Sequence, residues 1–282
     1  MDCHNCLSLL DAVSHKHLKC LKHFRNRGEK WDDWTIALAA RRGSLDIVEY
    51  LNRKGCPWDE KVYKEAAFHS RVGILKYAYH NDCPRNSLNV AAIAAGAAKE
   101  SCLHFARLVF GWDSHVYVEA IRHGRIANLK YAHIYGCPID VFINVAAIAV
   151  QFELECFRYA IGVMNAPHEV DVCFEAARVN RLDFLILARE KEYPWDKSVA
   201  FIAAKLGHYS MFVYLVENGC PYDYQKCLDN GGKDEDGRCI PEYLESLKKP
   251  SVLDMSCSIC VIGSKSIAYV PCGHVLSCVA CV

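Results

Sequence analysis

Long uncharged apolar runs are what this 282-residue sequence most clearly lacks; no stretch of about 18 such residues appears, so no membrane-crossing helix is expected. The opening segment, from Met1 to Asp11, has no basic stretch ahead of an apolar one, so no secretory leader is expected either. Net charge is missing too. With 33 basic and 33 acidic side chains, the chain has no overall field to draw it to nucleic acid or to a membrane surface. The common catalytic signatures are also absent. There is no phosphate-binding glycine loop, no H-E-x-x-H and no G-x-S-x-G, and histidines such as His208 are scattered instead of gathered with carboxylates. A hydrolase, kinase or oxidoreductase is therefore not expected.

Apolar residues are plentiful, at 52%, which is enough for a sizeable core. So is cysteine, with 17 copies. The odd count argues against a closed disulfide framework, and the absence of a leader points to a reducing compartment, cytoplasmic or nuclear.

Internal repetition organises most of the chain. G-C-P recurs at residues 55–57, 136–138 and 219–221, and D-C-P stands at 82–84. Alignment on the proline gives Lys30, Pro57, Pro84, Gly111, Pro138, Pro167, Pro194 and Pro221, a step of 27 residues broken once by a step of 29. Two positions later stand Asp32, Asp59, Asn86, Asp113, Asp140, Glu169, Asp196 and Asp223. Asp and Asn are favoured helix N-caps because a side-chain oxygen can accept from an orphan N–H of the first turn, so this column predicts helix starts. The column between holds Trp31, Trp58, Trp112, Ile139, Trp195 and Tyr222. Each is placed to staple onto a residue four beyond the cap, such as Ile36, Tyr63 or Tyr117.

Each unit then reads as a helix with small pairs such as Ala39-Ala40 and Ala203-Ala204, a break, and a second helix with apolar residues at i, i+3 and i+4, as in Gly43 to Leu51. A pair this short cannot bury its own apolar face, so copies must stack. Cys56, Cys83, Cys137 and Cys220 recur about a helix diameter apart, roughly 10 Å, beyond the reach of a disulfide; small buried fillers are expected. Lys16, Lys19, Lys22, Arg25 and Arg27, interleaved with His15, His17 and His23, are read as the solvated face of a terminal repeat. Gly231 to Gly237 reads as a flexible loop, and Pro241 to Lys249 as a short helix stopped by Pro250.

These units, with N-G-C-P and A-A-x-x-G-x-L-x-x-V/L-x-Y-L forms, resemble the divergent ankyrin-type repeats abundant in giant viruses and some unicellular eukaryotes. The resemblance implies an all-α helical-pair solenoid over residues 5–222, about eight units, with a target protein bound on its concave face. Ankyrin units run to about 33 residues. The shorter unit here implies that the projecting β-hairpin is lost.

The last residues carry a second signal. Cys257 and Cys260 form a C-x2-C pair, Cys272 and His274 follow in P-C-G-H, and Cys278 and Cys281 form another C-x2-C pair. Thiolates and imidazoles at such spacings bind tetrahedral zinc. A segment this short buries too little to fold unaided, so metal would supply its folding free energy. The order resembles a RING-type zinc finger of the inhibitor-of-apoptosis-like ubiquitin ligases, over residues 257–282. The resemblance implies one zinc held by Cys257, Cys260, Cys278 and Cys281, and half of a second site in Cys272 and His274, the family's final pair being absent. It also assigns Ile259 the apolar contact to a ubiquitin-conjugating enzyme. Residues 223–256 are then a hinge with a short helix. Cys3 and Cys6, also at C-x2-C spacing, are read as too far along the chain to complete the tail.

Three functions stay open at this point: a RING-type ubiquitin ligase that holds its target on the repeats, a non-catalytic interaction scaffold with a degenerate zinc tail, and nucleic-acid attachment through the basic first repeat, the least favoured.

Overall fold

The computed structural model describes residues 6–140, 144–164, 166 and 169–247. All eighteen elements among them are helices, with no strand, so the described chain is all-α. In order these are α1 (Leu9–Ser14), α2 (Leu18–Asn26), α3 (Asp33–Arg42), α4 (Leu45–Arg53), α5 (Lys61–Phe68), α6 (Val72–His80), α7 (Val90–Ala95), α8 (Glu100–Phe110) and α9 (His115–Arg122). They continue as α10 (Ile126–Ile134), α11 (Val145–Ala149), α12 (Leu154–Gly162), α13 (Val170–Arg178), α14 (Leu182–Glu190), α15 (Lys197–Lys205), α16 (Tyr209–Glu217), α17 (Tyr224–Asn230) and α18 (Ile240–Leu247). The chain divides into two compact units, Met1–Trp195 and Asp196–Val282.

In the first unit each odd-numbered helix packs on the even-numbered helix that follows it, and on the next odd-numbered helix; from α4 onward each even-numbered helix packs on the next even one. Two rows result. The odd row is lined by small residues at complete burial: Ala39 and Ala40, Ala66 and Ala67, Ala94 and Ala95, Ala176 and Ala177. Side chains of this size let neighbouring helices approach, while the larger buried groups Ile47, Leu51, Leu75, Leu103, Leu129 and Phe157 fill the space on the even-numbered helices. In the second unit α15 packs on α16 and α17, and α17 on α18.

The helix starts show where the cap column succeeds and where it fails. Asp32 closes a capping box with Thr35 at the start of α3, Asp196 accepts from the Ser198 amide, and Asp223 from the Lys226 amide. Asp59 and Asp113 accept from the amides of Lys61 and His115, at 2.9 and 3.0 Å. Asn86 does not cap α7. It sits at φ 50° in the left-handed region, and Asn89 takes the role by accepting from the Ala92 amide. In the same way α11 is capped by Asn144, through the Ala147 amide, and not by Asp140. The sequences after these two caps, Val90-Ala91-Ala92-Ile93-Ala94 and Val145-Ala146-Ala147-Ile148-Ala149, are the same.

The tryptophan column also makes ring contacts that the sequence does not announce. Its ring contacts run to the second helix of the same pair: Trp31 meets Tyr50, Trp58 meets Tyr77 and Trp112 meets Tyr131, edge to face at 6.3, 6.2 and 6.1 Å. From the preceding pair a guanidinium covers the indole, Arg25 over Trp31 at 3.9 Å and Arg107 over Trp112 at 5.4 Å. The indole face attracts a cation, so Trp31 bridges α2 and α4, and Trp112 bridges α8 and α10.

Gly231 to Gly237, expected as a flexible loop, is tied down. Lys233 and Cys239 form an antiparallel bridge, the Gly232 amide donates to the Ala204 carbonyl at 2.8 Å, and Arg238 pairs with Asp234 and Asp236. The helix expected after Pro241 is present as α18, whose Tyr243 rests on Tyr209 and Phe212 of α16.

Candidate functional site

The zinc ligands proposed from the sequence, Cys257, Cys260, Cys272, His274, Cys278 and Cys281, and the partner contact Ile259, lie outside the described residues. Three features within the described residues bear on function: the repeat thiols, a thiol and imidazole cluster near the start of the chain, and the outward faces of the helical pairs.

The thiols of the G-C-P loops are built into the backbone. Gly55, Gly136 and Gly219 take φ of 73°, 71° and 78°, a left-handed conformation that a glycine adopts without a Cβ clash. That turn swings the next amide back: Cys56, Cys137 and Cys220 donate N–H to Leu51, Ala132 and Leu215, each at 2.9 Å, and the following proline stops the helix. The side chain then points inward. Cys56, Cys83, Cys137 and Cys220 donate their thiols to the carbonyls of Asp32, Asp59, Asp113 and Asp196 at 3.2, 3.3, 3.2 and 3.5 Å. Each partner stands 24 residues earlier, at the entry to the first helix of the same pair. Burial, reinforced by the nearby aspartate, pushes the thiols of Cys56, Cys83 and Cys137 up to about 12. Protonated, buried donors of this kind are unsuited to metal binding or nucleophilic attack. The expectation of buried fillers is thus completed by a polar role.

Near the start of the chain, the ligand atoms of Cys6, His17 and Cys20 all lie within 4.8 Å of one another, and Cys6 Sγ is 3.1 Å from His17 Nδ1. The turn between α1 and α2 produces this. Lys16 takes φ 61°, the His17 amide reaches back to the Ala12 carbonyl at 2.8 Å, and His17 becomes the N-cap of α2, one helical turn from Cys20. Sequence reasoning considered Cys6 only with Cys3. The signal that finds the cluster is the spacing C-x2-C-x10-H-x2-C over residues 3–20. A second group, Cys6, Asp11 and His15, is also close, but the Asp11 carboxylate accepts from the Leu7 amide at 2.9 Å and pairs with His15 at 3.1 Å.

The even-numbered helices carry a ladder of aromatic rings with cations over them. Lys22 lies over Tyr50 at 5.3 Å, Lys76 over Phe105 at 5.9 Å and Lys130 over Tyr159 at 5.7 Å. Lys22 and Arg25 of the basic first repeat are thereby directed at the next pair. Beyond the ladder, Leu108, Ile134 and Tyr135 are exposed on and just after α8 and α10. No match to this chain comes from protein-family models or from curated proteins. No helix among the described residues is long and apolar enough to cross a membrane.

Proposed function

We propose that this chain is a protein-interaction scaffold that holds a target protein on stacked helical pairs and presents a RING-type zinc finger at its C-terminal end. The observation that carries the scaffold reading is the repeated thiol-to-cap hydrogen bond, made four times at the same 24-residue separation. One local design is copied along the chain. Stacked repeats of this kind are all-purpose binding surfaces whose specificity lies in exposed side chains. The pattern supports an ankyrin-like solenoid with shortened units.

The zinc-finger reading rests on the ligand order from Cys257 to Cys281. In it, zinc held by Cys257, Cys260, Cys278 and Cys281 folds the segment and presents Ile259 to a ubiquitin-conjugating enzyme, whose own cysteine carries the chemistry. The zinc-finger would then bring that enzyme to whatever the repeats hold. The test is ubiquitin transfer by the full chain with a permissive conjugating enzyme, beside Cys257→Ser and Ile259→Ala. Transfer that both substitutions abolish supports a ligase. Zinc bound at the tail without transfer supports a scaffold alone.

A further inference from the structure

We infer that Cys6, His17 and Cys20 form a zinc site that closes the first helical pair, separate from the zinc finger proposed for the C-terminal segment. Tetrahedral zinc, with bonds of about 2.3 Å to sulfur and about 2.0–2.1 Å to nitrogen, sets its ligands roughly 3.3–3.8 Å from one another. The three ligand atoms here lie within 4.8 Å of one another, and the Cys6–His17 separation of 3.1 Å is a few tenths of an ångström short of that range, so small side-chain torsions that open this pair and draw in Cys20 would seat an ion. The backbone does the gathering. His17 and Cys20 share one face of the first turn of α2, and the left-handed Lys16 brings that turn back to the segment that precedes α1.

The ligand chemistry selects the metal. Two thiolates and an imidazole favour a borderline-soft ion such as zinc over magnesium or calcium, which take oxygen ligands. The neighbouring oxygen ligand, Asp11, is already engaged by His15 and the Leu7 amide. On binding, each thiol that ligates gives up its proton to solvent.

The position gives the site a purpose. The first pair has a neighbouring pair described on one side only, through α1 and α3, and its leading residue Leu7 is 90% exposed. An ion joining the chain ahead of α1 to the start of α2 would fix the entry to this pair.

The experiment measures zinc in the purified, reduced full chain and in three variants: one with serine at all six tail ligands, one with Cys6→Ser and Cys20→Ser, and one with both sets. The tail-substituted chain should keep close to one zinc, the chain with both sets none. Chelation should lower the thermal midpoint of the tail-substituted chain and leave that of the doubly substituted chain unmoved. Cobalt added to the tail-substituted chain should give tetrahedral visible absorption, changed by His17→Ala, which keeps both thiols and reads the site even where a cysteine variant folds poorly. A helical tail-substituted chain without zinc, or a Cys6–Cys20 disulfide in zinc-replete protein, overturns the inference. Equal zinc in the unsubstituted and tail-substituted chains would instead count against the tail alone.

Discussion

Cys137 donates its thiol to the carbonyl of Asp113 at 3.2 Å, so the residue that ends one helical pair is bonded to the residue that begins it. The link is doubled, because the Tyr117 hydroxyl, one turn into α9, donates to the carbonyl of Cys137 at 2.8 Å. Cys173, at the position equivalent to Tyr117, donates to the Tyr193 carbonyl at 3.8 Å in the same way. A helical pair of this length has little core of its own, and these bonds fix its exit loop to its entry.

The first prediction concerns that double link. Tyr117→Phe strands the buried Cys137 carbonyl and should destabilise the protein by about 1–2 kcal/mol, and Cys137→Ala by a similar amount through lost packing and the lost thiol bond. Because both bonds hold one loop, the double variant should lose less than the sum. Urea denaturation of the two single variants and the double variant checks this; strict additivity would show that the two bonds act independently.

The left-handed positions give opposite signs at two sites. Gly55 has nothing within 4 Å of where a Cβ would stand, so Gly55→Ala should destabilise by about 1 kcal/mol through backbone conformation alone. Glu192 occupies the equivalent position at φ 62° and is exposed, so Glu192→Gly should stabilise by a few tenths to about 1 kcal/mol. Thermal unfolding of the two variants reads both signs.

The relocated caps are tested by a matched pair. Asn89→Ala removes the acceptor for the Ala92 amide and a side-chain bond to Asp113, and should cost about 1 kcal/mol. Asn86→Gly keeps the left-handed conformation and gives up only an exposed bond to Glu60, so stability should change little. The reverse order would restore Asn86 as the cap.

What the sequence made legible follows from the range of each interaction. Caps such as Asp32 and Asp196 act within three residues, and spacing alone reveals them. The α7 and α11 caps were missed because the proline-based register treats every loop as equal, whereas Asn89-Val90-Ala91-Ala92-Ile93-Ala94 and its copy from Asn144 begin later. That doublet was visible in the sequence. The thiol-to-cap bonds were not, since their acceptor is a backbone carbonyl and leaves no residue signature. The Cys6, His17 and Cys20 cluster falls between: its spacing is readable, but only the left-handed turn at Lys16 shows that the residues meet.

Alkaline pH supplies the last prediction. Burial pushes the thiols of Cys56, Cys83 and Cys137 up to about 12, and those of Cys102, Cys156, Cys173 and Cys227 up to about 11, from the ordinary value of 9.0. In each, burial is the leading cause, because the apolar surroundings penalise the thiolate. A folded pKa raised above the unfolded one means that the unfolded chain gives up protons first. The stability tied to these thiols is therefore complete below pH 9 and declines as pH rises toward 11–12. Tyr63 and Tyr193 are pushed up from 10.0 to about 12 and add to the decline at higher pH, so the interval just above pH 9 isolates the cysteines. Stability measured by urea titration should fall with pH there, and a variant with alanine at Cys56, Cys83 and Cys137 should show a shallower slope whatever its absolute stability. Equal slopes in the two proteins would mean that these thiols are not protonated donors in the folded state, and the thiol-to-carbonyl bonds would have to be abandoned.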